Sequence, residues 1–418
     1  MKLIRTAIAL TSGRFLSMFV SMILLFVQSH YIGPETTGIA GYFSVPLGYL
    51  WILTLGIPSA LARELPYYLA RGEREKALKL TQTAQSFSLA MGLLCSSVFA
   101  FLSVRAIIAG NVLYAIGWAF QIVSAFFTIW NSYIGTLYRT NDEFVRIAKS
   151  NTISAITQIV TFPLIFLNPF VGIWTKASVS SLATNIYLFW KRPIKIELGF
   201  DLKCFKQLLK FGMPLIVIGY IEANLWTSAQ SSMIVSMGNV TWFGLYNFIN
   251  QIIMALLIIP SAVADILRPK FAAIYGATDG NIMRTLNVSV KPLVLTLIYS
   301  IFAIILSWLF MDDIIGWLLP KYIDSIPALN YALLLVPITA LTVIKYIFVV
   351  TKNILHNAIA TISGFLAALG LLYWGLSSGM EFKYIFLPYV AGRFLNFIVS
   401  ILLLKFSKNH NYKEEEVI

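Results

Sequence analysis

Twelve runs of predominantly apolar residues fill most of this 418-residue chain, each close to the ~20 residues that an α-helix needs to cross a bilayer. They lie near 9–30, 39–59, 82–104, 108–134, 150–168, 170–190, 211–237, 242–264, 292–310, 328–350, 356–376 and 384–404. Hydrophobic residues make up 58% of the chain and charged residues 12%, against about 45–50% and about 25% in soluble domains. A water-soluble fold of this composition would leave too much apolar surface facing water. That excludes a soluble enzyme, a secreted domain and a nucleic-acid-binding module, despite the net charge of +13. Lys2 and Arg5 give the N-terminus the look of a signal peptide. Arg14 interrupts its apolar stretch and no small-x-small cleavage site follows, so the first span is read as retained.

Lysine and arginine set the orientation. With twelve spans both termini share one side, and that side carries 24 of the 31 basic residues. The opposite loops hold three, Arg105, Lys321 and Lys383, and four more fall inside spans. Basic residues gather on the cytoplasmic side of a membrane, so both termini are expected to be cytoplasmic. The longest outer loop, near 311–327, holds Asp312, Asp313 and Asp324. It leaves no room for the folded external domain of a membrane glycosyltransferase, and its acids read as solvated.

An internal repeat divides the chain. IPSALA at 57–62 returns as IPSAVA at 259–264, each followed by a basic segment that ends in glycine, at Gly72 and Gly276. The expected fold is an all-α integral membrane protein: twelve transmembrane helices in two six-helix lobes, related by a pseudo-two-fold along the membrane normal. The lobes would be residues 1–190 and 211–404, with a central site between them and a cytoplasmic tail at 405–418. The connection at 191–210 places Leu202, Phe205, Leu208 and Leu209 on one helical face and Lys203, Lys206 and Lys210 on the other. It reads as an amphipathic linker helix lying in the cytoplasmic interface.

Ionisable residues within spans are costly, at about 2.5–3.5 kcal/mol on insertion scales, and each is a functional candidate. They are Arg14 in span 1, Lys176 in span 6, Glu222 in span 7, Lys345 in span 10 and Arg393 in span 12. Polar residues recur around them at helical spacing: Ser17, Ser21 and Gln28 in span 1, Trp226 in span 7, and Tyr389 and Asn396 in span 12. These are read as cavity-lining. Four cations against one acid suit an anionic substrate such as a diphosphate, which arginine grips with two parallel hydrogen bonds and lysine as a point charge. Arg393 is the leading anion contact, with Arg14, Lys176 and Lys345 beside it. Structural alternatives stand for each: Arg14 and Lys345 lie near span ends and could snorkel to the interface, and Glu222 could serve as an ion-pair partner or as an ion-coupling group.

No GxxxxGK[ST] phosphate loop occurs, and His30, His356 and His410 are scattered. Cys95 and Cys204 lack metal-ligand spacing. Neither a catalytic residue nor a cofactor nor a metal is expected, and transport would draw on gradients.

The stretches YIGPETTGIAGYF (31–43), GIPSALARELPYYLARGEREKA (56–77), FDLKCFKQLLKFGMPL (200–215) and IPSAVADILRPKFA (259–272) resemble bacterial polysaccharide-unit flippases. These form a branch of the multidrug/oligosaccharidyl-lipid/polysaccharide exporter superfamily. The resemblance implies an undecaprenyl-diphosphate-linked oligosaccharide, such as an O-antigen repeat unit. It would be flipped by alternating access to the periplasmic leaflet of a bacterial inner membrane. A monomer is the default expectation for a two-lobed transporter, and polysaccharide polymerase or assembly proteins are candidate partners. A cation-coupled multidrug exporter and a membrane enzyme of polysaccharide assembly are the rival readings.

Overall fold

The structure, a computed structural model, describes residues 2–278, 281–351 and 353–407; within these, the side chains of 2–15, 215, 218, 223, 265, 266, 268, 269, 272, 273, 276 and 405–407 are outside the description. The chain is predominantly helical, with no strand among the described residues. Among the described residues seven helices are long and apolar enough to cross a membrane, or nine if two bent pairs each count as one pass. The other three expected passes, near 9–30, 170–190 and 211–237, coincide with the helices Lys2–Tyr31 and Pro169–Trp190 and with the helical run that starts at Leu202 and ends at Met237. All twelve expected segments are therefore helical.

The residues cluster into two compact units, 1–32 with 36–228, and 33–35 with 229–418. In the first unit, α1 (Lys2–Tyr31) leads to a bent pass made of α2 (Pro34–Tyr42), short helical turns and α3 (Ile57–Ala70). Next come α4 (Arg74–Ile108), α5 (Val112–Thr140), α6 (Phe144–Thr161) and α7 (Pro169–Trp190). The helix α8 (Leu202–Tyr220) follows, then a π-helical turn over Ile221–Leu225; α9 (Trp226–Met237) begins in the first unit and from Ala229 onward belongs to the second. The second unit holds α10 (Val240–Leu256), α11 (Ile258–Ala277) and the long α12 (Ile282–Leu318). A broken pass contains α13 (Ile326–Ala332) and α14 (Leu335–Leu341), and α15 (Ile354–Ser377) and α16 (Leu387–Ser407) complete the unit.

The sequence repeat marks the two bends. The second pass bends by 40° where IPSALA begins α3, and the eighth by 47° where IIPSAVA begins α11. Pro58 and Pro260 sit in the first turns of these halves, where the missing N–H costs nothing within the helix but breaks the bond to the turn before. In the first copy the break is completed by two residues in the left-handed region, Leu55 (φ 50°) and Gly56 (φ 71°). Leucine pays for that conformation, whereas glycine adopts it freely.

Lipid gives helices no hydrophobic reason to associate, so close packing of small residues does the work. Gly56 lies against Gly212 of α8 so tightly that a Cβ on either would collide with the other's backbone. Gly364 of α15 and Gly392 of α16 make the same kind of contact. Apolar side chains cover the outside, and Trp190, Trp317 and Trp374 are exposed close to helix ends, as in the aromatic belts of membrane proteins.

The segment read as a linker helix at 191–210 folds differently. Residues 191–201 are not helical, and α8 runs from Leu202 without interruption into the seventh pass. Its apolar face meets protein instead of the lipid interface: Leu208 and Cys204 join the core formed with Leu61, Leu80 and Leu137. Phe205 packs against Phe87 at 5.5 Å between ring centroids. Asp201 starts the helix, its carboxylate accepting from the backbone N–H groups of Lys203 (2.7 Å) and Cys204 (2.9 Å). Those bonds, Cys204's foremost, hold the Asp201 carboxyl below the usual carboxylate range. The first compact unit accordingly runs through Ser228, past the 190/211 boundaries expected from the repeat.

Candidate functional site: interior polar seams of the two units

In the first unit the polar stripes of α1 and α7 face one another and a third stripe on α6. The Lys176 ammonium donates to the Gln28 side-chain oxygen at 2.7 Å and lies over the Phe162 ring at 5.9 Å from its centroid. Ser21 donates to Gln158 (3.2 Å), Gln158 donates to Ser154 (3.2 Å), and the Ser154 and Ser180 hydroxyls are 2.8 Å apart. These helices therefore share a seam of hydrogen bonds with a cation at one end. Gln28 is buried, while Ser17, Ser21 and Lys176 are half-buried. In lipid an unpaired polar group costs more than in water, which favours stripes that meet. Gln158 and Ser154 were missed in the sequence, although Asn151, Ser154, Gln158 and Thr161 repeat at the same three- and four-residue spacing.

In the second unit Arg393 sits one turn beyond Tyr389 on α16. Its guanidinium donates to the Tyr389 hydroxyl at 3.1 Å and lies 5.2 Å from the ring centroid. It is half-buried, so one part is held and another faces outward from the core. Lys345 differs from its expected role as a snorkelling or substrate-facing cation. It ends a 3₁₀ turn over Thr342–Lys345, is 2% exposed, and donates to Thr361 of α15 at 3.4 Å. Asn396, expected to line a cavity, is fully buried, and neither its amide nitrogen nor its oxygen has a hydrogen-bond partner among the described residues. Trp226 is likewise buried, at 1% exposure.

Glu222 lies in the π-helical turn of the seventh pass, half-buried. Such turns widen the helix by one residue and recur at functional positions. Arg14 lies on α1, but its side chain is outside the described residues. The structure thus joins Lys176 with Gln28, and Arg393 with Tyr389, within separate units. No group of three or more metal-ligating side chains occurs among the described residues.

Apolar passes enclosing polar seams and half-buried cations define a multi-pass helical membrane protein. Residues 3–274 match the polysaccharide biosynthesis protein family, and the chain belongs to that family. Solved structures give the fold independently. An inward-facing multidrug resistance MATE family transporter of the MOP superfamily superposes with a TM-score of 0.73 at 15% identity, covering 95% of this chain and 96% of that one. A MOP superfamily transporter from Pyrococcus furiosus, described as having a binding pocket of reverse polarity, gives 0.67 at 16% identity, with coverages of 98% and 96%. A MATE protein in complex with Br-NRF gives 0.63 at 16% identity, also covering 98% and 96%. No curated protein sequence matches the chain.

Proposed function

We propose that this protein is a flippase for an undecaprenyl-diphosphate-linked oligosaccharide, moving it by alternating access from the cytoplasmic to the periplasmic leaflet of a bacterial inner membrane. The observation that carries the reading is the half-buried Lys176 ammonium, held inside the passes by the neutral Gln28 side chain, with Arg393 beside Tyr389 as a further interior cation. The neutral Gln28 oxygen positions the Lys176 ammonium without cancelling its charge, which suits attraction of a diphosphate. Family membership supplies the chemical context, a product of polysaccharide assembly. Arg14 and Glu222 retain their proposed roles as anion contact and coupling group, whereas the burial of Lys345 favours a structural one. A membrane potential that is negative inside assists outward movement of the headgroup by about 2.3 kcal/mol per charge per 100 mV.

The test uses sealed proteoliposomes with a labelled undecaprenyl-diphosphate-linked oligosaccharide and a membrane-impermeant reagent. Label should become accessible in a protein-dependent way, faster with an imposed potential. Arg393→Ala should slow it at least tenfold, and Arg393→Lys should keep part of the rate. Export of cationic drugs without glycan movement would instead favour the multidrug reading that the fold also accommodates.

A further inference from the structure

The second unit contains a cavity of about 760 Å³ separate from its polar seam. That volume lies within the range of about 300–1,000 Å³ usual for small-molecule sites. Its walls come from three places far apart in sequence: the start of α10, the 3₁₀ turn at Pro320–Ser325, and the turn at Phe382–Tyr384 before α16. All three belong to loops that the lysine and arginine census assigns away from the cytoplasm.

The lining combines one aromatic platform with a ring of polar groups. Trp242 is half-buried and backed by Phe382, whose ring centroid lies 5.6 Å away. Gly238 leaves the edge of the indole uncrowded, since a Cβ there would stand 3.3 Å from it. The Asn239 side-chain oxygen caps α10 by accepting from the Trp242 backbone N–H at 2.7 Å, which fixes the loop and still leaves an NH₂ donor. Thr241 adds a hydroxyl, and Asp324 a carboxylate on an exposed turn. Lys383 and Glu381 neutralise each other at 2.9 Å, so the cavity's net charge comes from Asp324.

A pyranose matches this arrangement. One of its faces presents C–H bonds that pack on an aromatic ring, and its edge presents hydroxyls that donate to carboxylates and accept from amides and ammonium groups. The net negative charge works against a phosphate or a uronic acid, unlike the interior cations. We infer that this outer cavity holds one neutral or amino pyranose, stacked on Trp242 and hydrogen-bonded to Asp324 and Asn239. Its identity as part of the transported glycan rests on the flippase reading, but the binding itself does not.

Saturation-transfer difference NMR tests the inference on the whole protein in a detergent without sugar headgroups. Methyl glucoside, glucosamine and glucuronate serve as the probes. Transfer should be clear for the first two and at least fivefold weaker for glucuronate. Trp242→Ala should reduce the glucoside signal at least fivefold, and Trp242→Phe, which keeps a ring, should retain much of it. Asp324→Asn should narrow the gap between glucoside and glucuronate. No transfer from any probe, equal transfer from all three, or a signal unchanged in Trp242→Ala when that variant unfolds at the wild-type temperature would overturn the inference. If Trp242→Ala does not fold, the Asp324→Asn comparison decides. Sugar binding without flipping would sink only the transport reading, and flipping without sugar binding only this one.

Discussion

The Lys176 ammonium is held by the side-chain oxygen of Gln28, 148 residues earlier in the chain, at 2.7 Å. A hydrogen bond to a charged group is worth about 1.5–3 kcal/mol. Gln28→Leu should therefore destabilise the protein by roughly that amount, because it leaves the ammonium among apolar neighbours. Adding Lys176→Met should recover a large part of the loss, since the stranded charge is then gone. Unfolding of the single and double variants in detergent measures both steps, and strictly additive losses would refute the pairing.

The contact between Gly56 and Gly212 predicts a different kind of sensitivity. Gly212→Val forces a side chain into backbone, and overpacking of a tight contact costs typically about 1–3 kcal/mol. Gly56→Ala adds backbone strain at a φ of 71°. Both variants should lower the thermal midpoint, whereas Gly219→Ala, with open space around it, should not.

Asp201 predicts a dependence on acid. Its carboxyl is held below the ordinary range by the backbone N–H groups of Cys204 and Lys203. A carboxyl whose folded pKa is depressed contributes stability above its unfolded value, about 3.9, and loses it as pH falls through the folded value. The thermal midpoint of wild type minus that of Asp201→Asn should be positive at neutral pH and shrink below about pH 4. A difference that is constant with pH would count against the carboxylate's role as helix starter.

Asn396 predicts stabilisation by a loss of polarity. Its amide is fully buried with neither nitrogen nor oxygen partnered among the described residues. Leaving a buried polar group unsatisfied costs about 1–3 kcal/mol. Asn396→Leu, which keeps the number and branching of the side-chain heavy atoms, should raise the unfolding midpoint in detergent. A lowered midpoint would mean that the amide is satisfied by groups beyond the protein's own.

Much of the fold is legible in the sequence because bilayer thickness imposes one length scale on every pass. All twelve apolar segments are helical, and the IPSALA repeat marks the two bends, where proline removes a backbone donor. Span 7 and the segment before it are less legible. The amphipathic pattern of Leu202, Phe205 and Leu208 has the same period whether its apolar face meets lipid or protein, and only tertiary contact with Phe87 and Leu80 separates the two. The interior cations are visible from composition alone, but their neighbours are not. Periodicity on α1 cannot say that Gln28 faces Lys176, or that Lys345 turns into protein.

The buried Glu64 carboxylate accepts from Gln207 at 2.6 Å, across 143 residues of chain. Translation at about 5–20 residues per second separates the two partners by roughly 7–30 s. For that interval the Glu64 carboxylate has its neighbour Arg63 at 4.0 Å but lacks its Gln207 donor, and the first compact unit is incomplete until the seventh pass emerges. A fragment cut after residue 190 would fix that temporary condition permanently. The smallest piece of this protein able to fold by itself should therefore be sought with α8 included.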